Sequence, residues 1–123
     1  MIFGIGIDII EVARIRDAYK KLGKKFLEGV FTEAEQAFSL KHSDPAQRLA
    51  ARWAAKEAVL KALGTGYSNG IKWTDIEIID NERSRPTVQI SGKAVEYLDN
   101  MKVHISISHL KDTATALAVI EKL

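Results

Sequence analysis

RWAAKEAVLKALGTG, Arg52 to Gly66, is the stretch on which the fold turns. Ala, Leu, Lys, Glu and Arg all favour helix, and neither Pro nor Gly interrupts the run before Gly64. Upstream, HSDPAQ reads as a turn and Pro45 suits a first helical position. One long helix is therefore predicted through Leu63, closed by Gly64 as its C-cap. At about 100° per residue, Leu49, Trp53, Leu60 and Leu63 share one arc, with Lys56 in its middle and Glu57 at its edge. The ordinary account of Glu57 is an i,i+4 ion pair with Lys61, worth about 0.3–0.5 kcal/mol. For Lys56 it is a side chain that snorkels to water. The sharper account is that these charges hold a ligand.

Residues 2–10 alternate as a strand, with Ile5, Ile7 and Ile9 pointing one way and Gly4, Gly6 and Asp8 the other. Two glycines beside a carboxylate let something approach the backbone closely. An amphipathic helix follows, with Val12, Ile15, Tyr19 and Leu22 at helical spacing and basic residues largely opposite. FTEAEQAF carries a capping box, Thr32 with Glu35, that opens another short helix. Beyond the loop GTGYSNG the period changes to two. DIEIID and TVQIS read as strands joined by NERSRP, Ser91 as the cap of a helix through AVEYLDNM, and VHISIS with TATALAVI as a strand pair around HLKD. The order β, three helices, ββ, α, ββ predicts an α+β fold: a largely antiparallel sheet with one long central helix. At 123 residues the expectation is one domain, 1–123.

Hydrophobic residues at 46% and charged residues at 28% describe an ordinary globular composition rather than a disordered one. The absence of Cys removes disulfides, thiolate metal sites and cysteine nucleophiles. The apolar N-terminus has no basic n-region or cleavage site and is interrupted by Asp8 and Glu11, so it is not expected to act as a signal peptide. No apolar run approaches the roughly 20 residues of a bilayer span. A cytoplasmic protein with no membrane partner is expected. The net charge of +2 is unremarkable, yet Arg14 to Lys25 holds six Lys and Arg against one Asp. Such a basic face suits an acidic partner.

GIGID is not a dinucleotide fingerprint, because Ile9 stands where the third Gly belongs. GTG, 64 to 66, follows a helix C-terminus, whose dipole repels phosphate. An anion there needs side chains or a metal, with Lys56 and Lys61 as candidates. Asp8 and Glu57 are both carboxylates at apolar boundaries, costly unless paired or metal-bound. With oxygen donors and no Cys or His cluster, the fitting metal is Mg²⁺, which keeps waters and leans on substrate phosphates. His109 sits where ISISH turns and can serve a phosphate, whereas His104 reads as structural and His42 lies in a polar loop.

Together GIDIIEVARI (6–15), FTEAE (31–35), RLAARWAAKEAVLKALGTG (48–66) and ISISH (105–109) resemble the holo-[acyl-carrier-protein] synthases, the short group of 4'-phosphopantetheinyl transferases. The resemblance runs from end to end. Trp53 stands where Phe is commoner, and Leu110 where a small polar residue is usual. The resemblance implies a 4'-phosphopantetheinyl transferase-like fold and a homotrimer with active sites between subunits. It also implies a Mg²⁺-dependent transfer of phosphopantetheine from coenzyme A to a serine of apo acyl carrier protein, releasing adenosine 3',5'-bisphosphate in support of fatty acid biosynthesis. Residue by residue, Asp8 and Glu57 would hold Mg²⁺ against the pyrophosphate, and Lys61 would neutralise phosphate charge. Arg52, Gly64, Gly66 and His109 would line the coenzyme site. Arg14, Lys21 and Lys24 would dock the carrier's acidic helix. The proton acceptor is expected to be a metal-polarised water, or Glu57 acting through water.

The competing class is a non-enzymatic module whose basic helix holds an acidic protein or an RNA. It explains Arg14 to Lys25 but leaves Asp8, Lys56, Glu57 and Lys61 without a role. Nucleic acid is disfavoured further, since Tyr19 is the only stacking aromatic on that helix and lies on its apolar face.

Overall fold

Gly4 and Gly6 explain how the helix and the sheet meet. In the computed structural model, which describes residues 1–66, 70–79 and 85–123, a Cβ on either glycine would lie 2.0 Å from the carbonyl oxygen of Ala62 or Ala58. The strand β1 (Ile2–Glu11) therefore lies directly against the backbone of the long helix α4 (Pro45–Leu63). What approaches these glycines is the chain itself.

Between β1 and α4 come α1 (Val12–Leu22), α2 (Lys24–Val30) and α3 (Glu33–Leu40). After α4 a 3-10 turn (Trp73–Asp75) leads into β2 (Ile76–Ile79), followed by β3 (Thr87–Ile90), a second 3-10 segment (Gly92–Tyr97), β4 (Met101–His109) and β5 (Thr113–Lys122). The strands form a three-stranded antiparallel sheet in the order β1-β5-β4 and a separate antiparallel pair, β2-β3. The register sets Ile5, Ile7 and Ile9 opposite Val119, Leu117 and Thr115. Helix α4 packs on the inner face of the larger sheet, and its small residues Ala50, Ala54, Ala58 and Ala62 are buried with Ala114, Ala116, Ala118 and Ile120 of β5. This is the α+β arrangement expected, with antiparallel sheets and one long central helix. No helix among the described residues is long and apolar enough to cross a membrane.

Local signals account for most boundaries. Pro45 opens α4, and Gly64, at φ 81°, closes it by donating its N–H to the carbonyls of Leu60 and Lys61. Thr32 and Glu35 complete the capping box of α3. Three expectations are corrected. The segment Lys24–Val30 is a fourth helix, restarted by Gly23 in the left-handed region; its seven residues are too few to show a period. The helix expected after Ser91 is a 3-10 segment ending at Tyr97, and Ser91 gives its side chain to the Asp75 carbonyl instead of capping. Leu22, placed on the apolar stripe of α1, is exposed at the helix end. In DIEIID, Asp75 belongs to the 3-10 turn, while Asp80, residues 81–84 of NERSRP and 67–69 of GTGYSNG lie outside the described residues.

The outer face of the sheet carries a different surprise. Ile5, Ile7 and Ile9 keep 60%, 63% and 69% of their surface accessible, and Leu117 beside them is exposed as well. The alternation of β1 is real, but the glycine face is the buried one.

Candidate active site

Lys56 and Glu57 are neighbours in sequence and opposites in environment. Lys56 is fully buried, its ammonium 2.6 Å from Oε1 of Glu35 and donating to the carbonyls of Val30 (2.7 Å) and Trp73 (3.1 Å). The Glu35 carboxylate in turn accepts the backbone N–H groups of Thr32 (2.9 Å) and Ile78 (2.8 Å). Burial pushes the Lys56 ammonium below its ordinary range, against the opposing pull of Glu35. The expectation that Lys56 snorkels to solvent or reaches an anion is therefore overturned: a long flexible stem finds a carboxylate and two carbonyls inside the protein. Glu35 was legible as a capping residue, but its second role was not, because capping geometry says nothing about what lies across the core.

Glu57 is half-buried and faces a cleft of about 440 Å³. Trp53, Glu57 and Lys61 recur every fourth residue and so line this cleft as one stripe of α4. Asp8 enters from β1 and Arg14 from α1, giving the cleft two carboxylates and two cations; Ile15, Phe26 and Trp53 form its apolar wall. Lys61 does not form the i,i+4 bridge to Glu57. Its Nζ reaches across to Oδ1 of Asp8 (3.1 Å) and the carbonyl of Ile7 (2.9 Å), while its side chain stays half-exposed. Asp8 is held in turn through its own carbonyl, which accepts the Thr115 hydroxyl at 2.8 Å. Burial, reinforced by the nearby Asp8 charge, raises the Glu57 pKa, and Lys61 only partly offsets this.

The other candidates are distributed more widely. Arg52 is buried with its guanidinium 4.2 Å above the Phe38 ring, away from the cleft. Gly64 and Gly66, both at positive φ, follow the C-terminus of α4. His109 is exposed at the end of β4, where its ring nitrogen lies 3.4 Å from Arg48. Lys21 on α1 and Lys24 at the start of α2 are exposed. The apolar wall was missed by the sequence reading except for Trp53, whose spacing from Glu57 was the available signal. Phe26 lies in the helix that was not foreseen. Phe26 and Trp53 stack at 6.3 Å, and Trp53 and Trp73 at 4.6 Å.

Two carboxylates in a partly desolvated cleft make an electrostatically unfinished site, and the upward direction of the Glu57 pKa, from burial and then Asp8, accords with that. A hard cation fits: the donors are oxygens, and Lys61 engages only one Asp8 oxygen. Among the described residues no cluster of three Asp, Glu, His or Cys forms, so a cation here would need waters or a ligand's oxygens to complete its shell.

Comparison with known proteins agrees with this architecture. Residues 4–119 match the family described as the 4'-phosphopantetheinyl transferase superfamily. A holo-[acyl-carrier-protein] synthase of Protochlamydia amoebophila is 50% identical over 119 residues, 97% of this chain and 98% of that protein. The enzyme of the same name from Clostridium tetani is 46% identical, covering 98% and 97%. The crystal structure of the Neisseria meningitidis synthase superposes with a TM-score of 0.89 at 34% identity, over 99% of this chain and all of that one. The Bacillus anthracis synthase in complex with CoA (3',5'-ADP) gives 0.84 at 38% identity, covering 100% and 99%. With the predicted fold and the end-to-end identity both met, the chain belongs to the 4'-phosphopantetheinyl transferase superfamily, in its holo-[acyl-carrier-protein] synthase family.

Proposed function

We propose that residues 1–123 act as one phosphopantetheinyl transferase domain that moves 4'-phosphopantetheine from coenzyme A to a serine of apo acyl carrier protein. The observation that carries this reading is the convergence of Asp8, Glu57 and Lys61 in one cleft of a chain that matches holo-[acyl-carrier-protein] synthases over nearly its whole length. The Helicobacter pylori structure of that name is a complex with coenzyme A, and the one from Bacillus anthracis a complex with CoA (3',5'-ADP).

In this reading Asp8 and Glu57 hold Mg²⁺, which supplies positive charge beside the pyrophosphate. Lys61 stabilises negative charge as the leaving group separates. The serine oxygen bonds to the phosphorus that bears pantetheine. The bridging P–O bond breaks, and adenosine 3',5'-bisphosphate departs with the electron pair. Glu57 accepts the serine proton through a water. Phosphoryl transfer asks chiefly for such positioning and neutralisation.

Arg14, Lys21 and Lys24 form the docking face for the acidic carrier, Arg14 joining it to the cleft. Arg52, Gly64, Gly66 and His109 belong to the coenzyme site. His109 does not line the cleft within one chain, which supports a site completed by a second subunit. The exposed Ile5, Ile7, Ile9 face supports assembly as a homotrimer, since singly such a stripe costs solubility. The enzyme works in the cytoplasm, in fatty acid biosynthesis. Light scattering of the purified protein checks the trimer, and a monomer at working concentration removes it. The function is tested by incubating the protein with apo carrier, coenzyme A and Mg²⁺ and weighing the carrier intact. Gain of one phosphopantetheine is expected, abolished by chelator and diminished by salt through the docking face; an unmodified carrier overturns the reading.

A further inference from the structure

Helix α4 is held from two sides. Ala58 and Ala62 lie against Gly6 and Gly4 of β1, and Lys56 is pinned by Glu35, Val30 and Trp73. At about 100° per residue, Lys56 and Ala58 point about 200° apart, nearly opposite, with Glu57 between them. The glycine contact sets how deeply the helix sits. It makes no directional bond, and the surrounding surface is rich in alanine, which specifies rotation and axial position weakly. Toward β1 the helix is bonded through Lys61, whose half-exposed side chain reaches Ile7 and Asp8; on the Lys56 side the bonds are made by a fully buried ammonium. Three acceptors from α3, the end of α2 and the Trp73–Asp75 turn converge on one ammonium, and Glu35 is fixed separately by the Thr32 and Ile78 amides.

We propose that the buried Lys56–Glu35 pair is a positioning device for the reaction: it sets the rotation of α4 and thereby aims Glu57 at Asp8. This rests on the proposed function, in which Asp8 and Glu57 share a cation. Neither Lys56 nor Glu35 touches the cleft, so the device acts only through the helix. A pair serving stability alone would leave the cleft unaltered when replaced by uncharged groups of similar size, a change that buried ion pairs often tolerate. A positioning pair would not, because displacement of a reacting group by about 1 Å can lower turnover by roughly 10²-fold.

The test is the double variant Glu35→Gln with Lys56→Met, with Ile120→Ala in β5 as a control that weakens the core away from the cleft. Three readouts are taken well below melting: transfer kinetics, direct Mn²⁺ titration by calorimetry, and near-ultraviolet circular dichroism of the Trp53–Trp73 stack. These two are the only tryptophans in the chain, and they join α4 to the turn that Lys56 binds. The folded double variant should lose turnover by about 10- to 100-fold and weaken Mn²⁺ binding by a similar factor. It should keep its KM for carrier and show an altered tryptophan signal, while Ile120→Ala keeps wild-type turnover and metal affinity. Wild-type turnover and Mn²⁺ affinity in the folded double variant overturn the proposal. If the double variant does not fold, Glu35→Asp takes its place, since it keeps both charges but shortens the arm; lower turnover with weaker Mn²⁺ binding supports positioning, and wild-type values overturn it. A wild-type chain that binds Mn²⁺ without transferring phosphopantetheine would overturn the function instead, leaving the Mn²⁺ and tryptophan readouts to decide the clamp.

Discussion

The Lys56 region and the Glu57 cleft lie one residue apart on the same helix, and their chemistry is handled in opposite ways. At Lys56 each charge has a counter-charge, and backbone groups complete the shell. At Glu57 two carboxylates share a cleft with Lys61 bound to only one of them, and burial first, then the Asp8 charge, raises the Glu57 pKa. A buried charge is tolerable only when it is paired. The finished network therefore marks structure, and the unfinished one marks the place where something else must bind. Burial alone would have chosen the wrong residue, because Lys56 is the more buried of the two.

Experiments that break this contrast should do so in a graded order. Asp8→Ala and Glu57→Gln are expected to abolish transfer while far-ultraviolet circular dichroism stays unchanged, since neither removes core volume; turnover surviving in both would show that the cleft is not the site. Next in size, Lys56→Met alone should cost about 3–5 kcal/mol of stability, because it strands Glu35 as an unpaired buried carboxylate. Urea unfolding measures this, and a loss under about 1 kcal/mol would mean that Glu35 finds water or a proton easily. Lys61→Met should do the reverse, lowering turnover by roughly 10²-fold or more while its partly exposed pair costs at most about 1 kcal/mol. A destabilised but fully active Lys61→Met enzyme would move Lys61 to the structural side of the comparison.

The smallest effect concerns pH. Because the folded chain raises the Glu57 pKa above its ordinary 4.5, the folded state holds the proton more tightly than the unfolded state does. The stability tied to this proton is fully present below the unfolded value and is lost as pH rises through the folded one. Without metal, Glu57→Gln should therefore melt slightly above wild type at neutral pH and level with it under acid conditions. Mg²⁺ should raise the wild-type melting temperature at neutral pH, lose that effect as acid protonates Glu57, and leave the variant unmoved. Scanning calorimetry with chelator and with Mg²⁺ checks these outcomes, and a metal-free variant that melts below wild type at neutral pH but level with it in acid would show that Glu57 is stabilising as an anion.

The sequence alone determined what local physics controls. Pro45 and Gly64 bound the central helix, Thr32 with Glu35 caps the next shortest one, and alternation from Ile5 to Ile9 makes a strand, because each depends on residues within a turn or two. The family resemblance carried by motifs along the chain also implied a shared site for Asp8, Glu57 and Lys61. Only the tertiary structure decided which of two adjacent charges faces the core. It paired Lys56 with Glu35, 21 positions earlier, and turned Lys61 from Glu57 to Asp8, 53 positions away. It also turned Gly4 and Gly6 of β1 inward and left Ile5, Ile7 and Ile9 outward, against the usual preference, because only a residue without Cβ lets the α4 carbonyls come so close. Periodicity identifies the two faces of an element. Which face is buried depends on the shape of what packs against it.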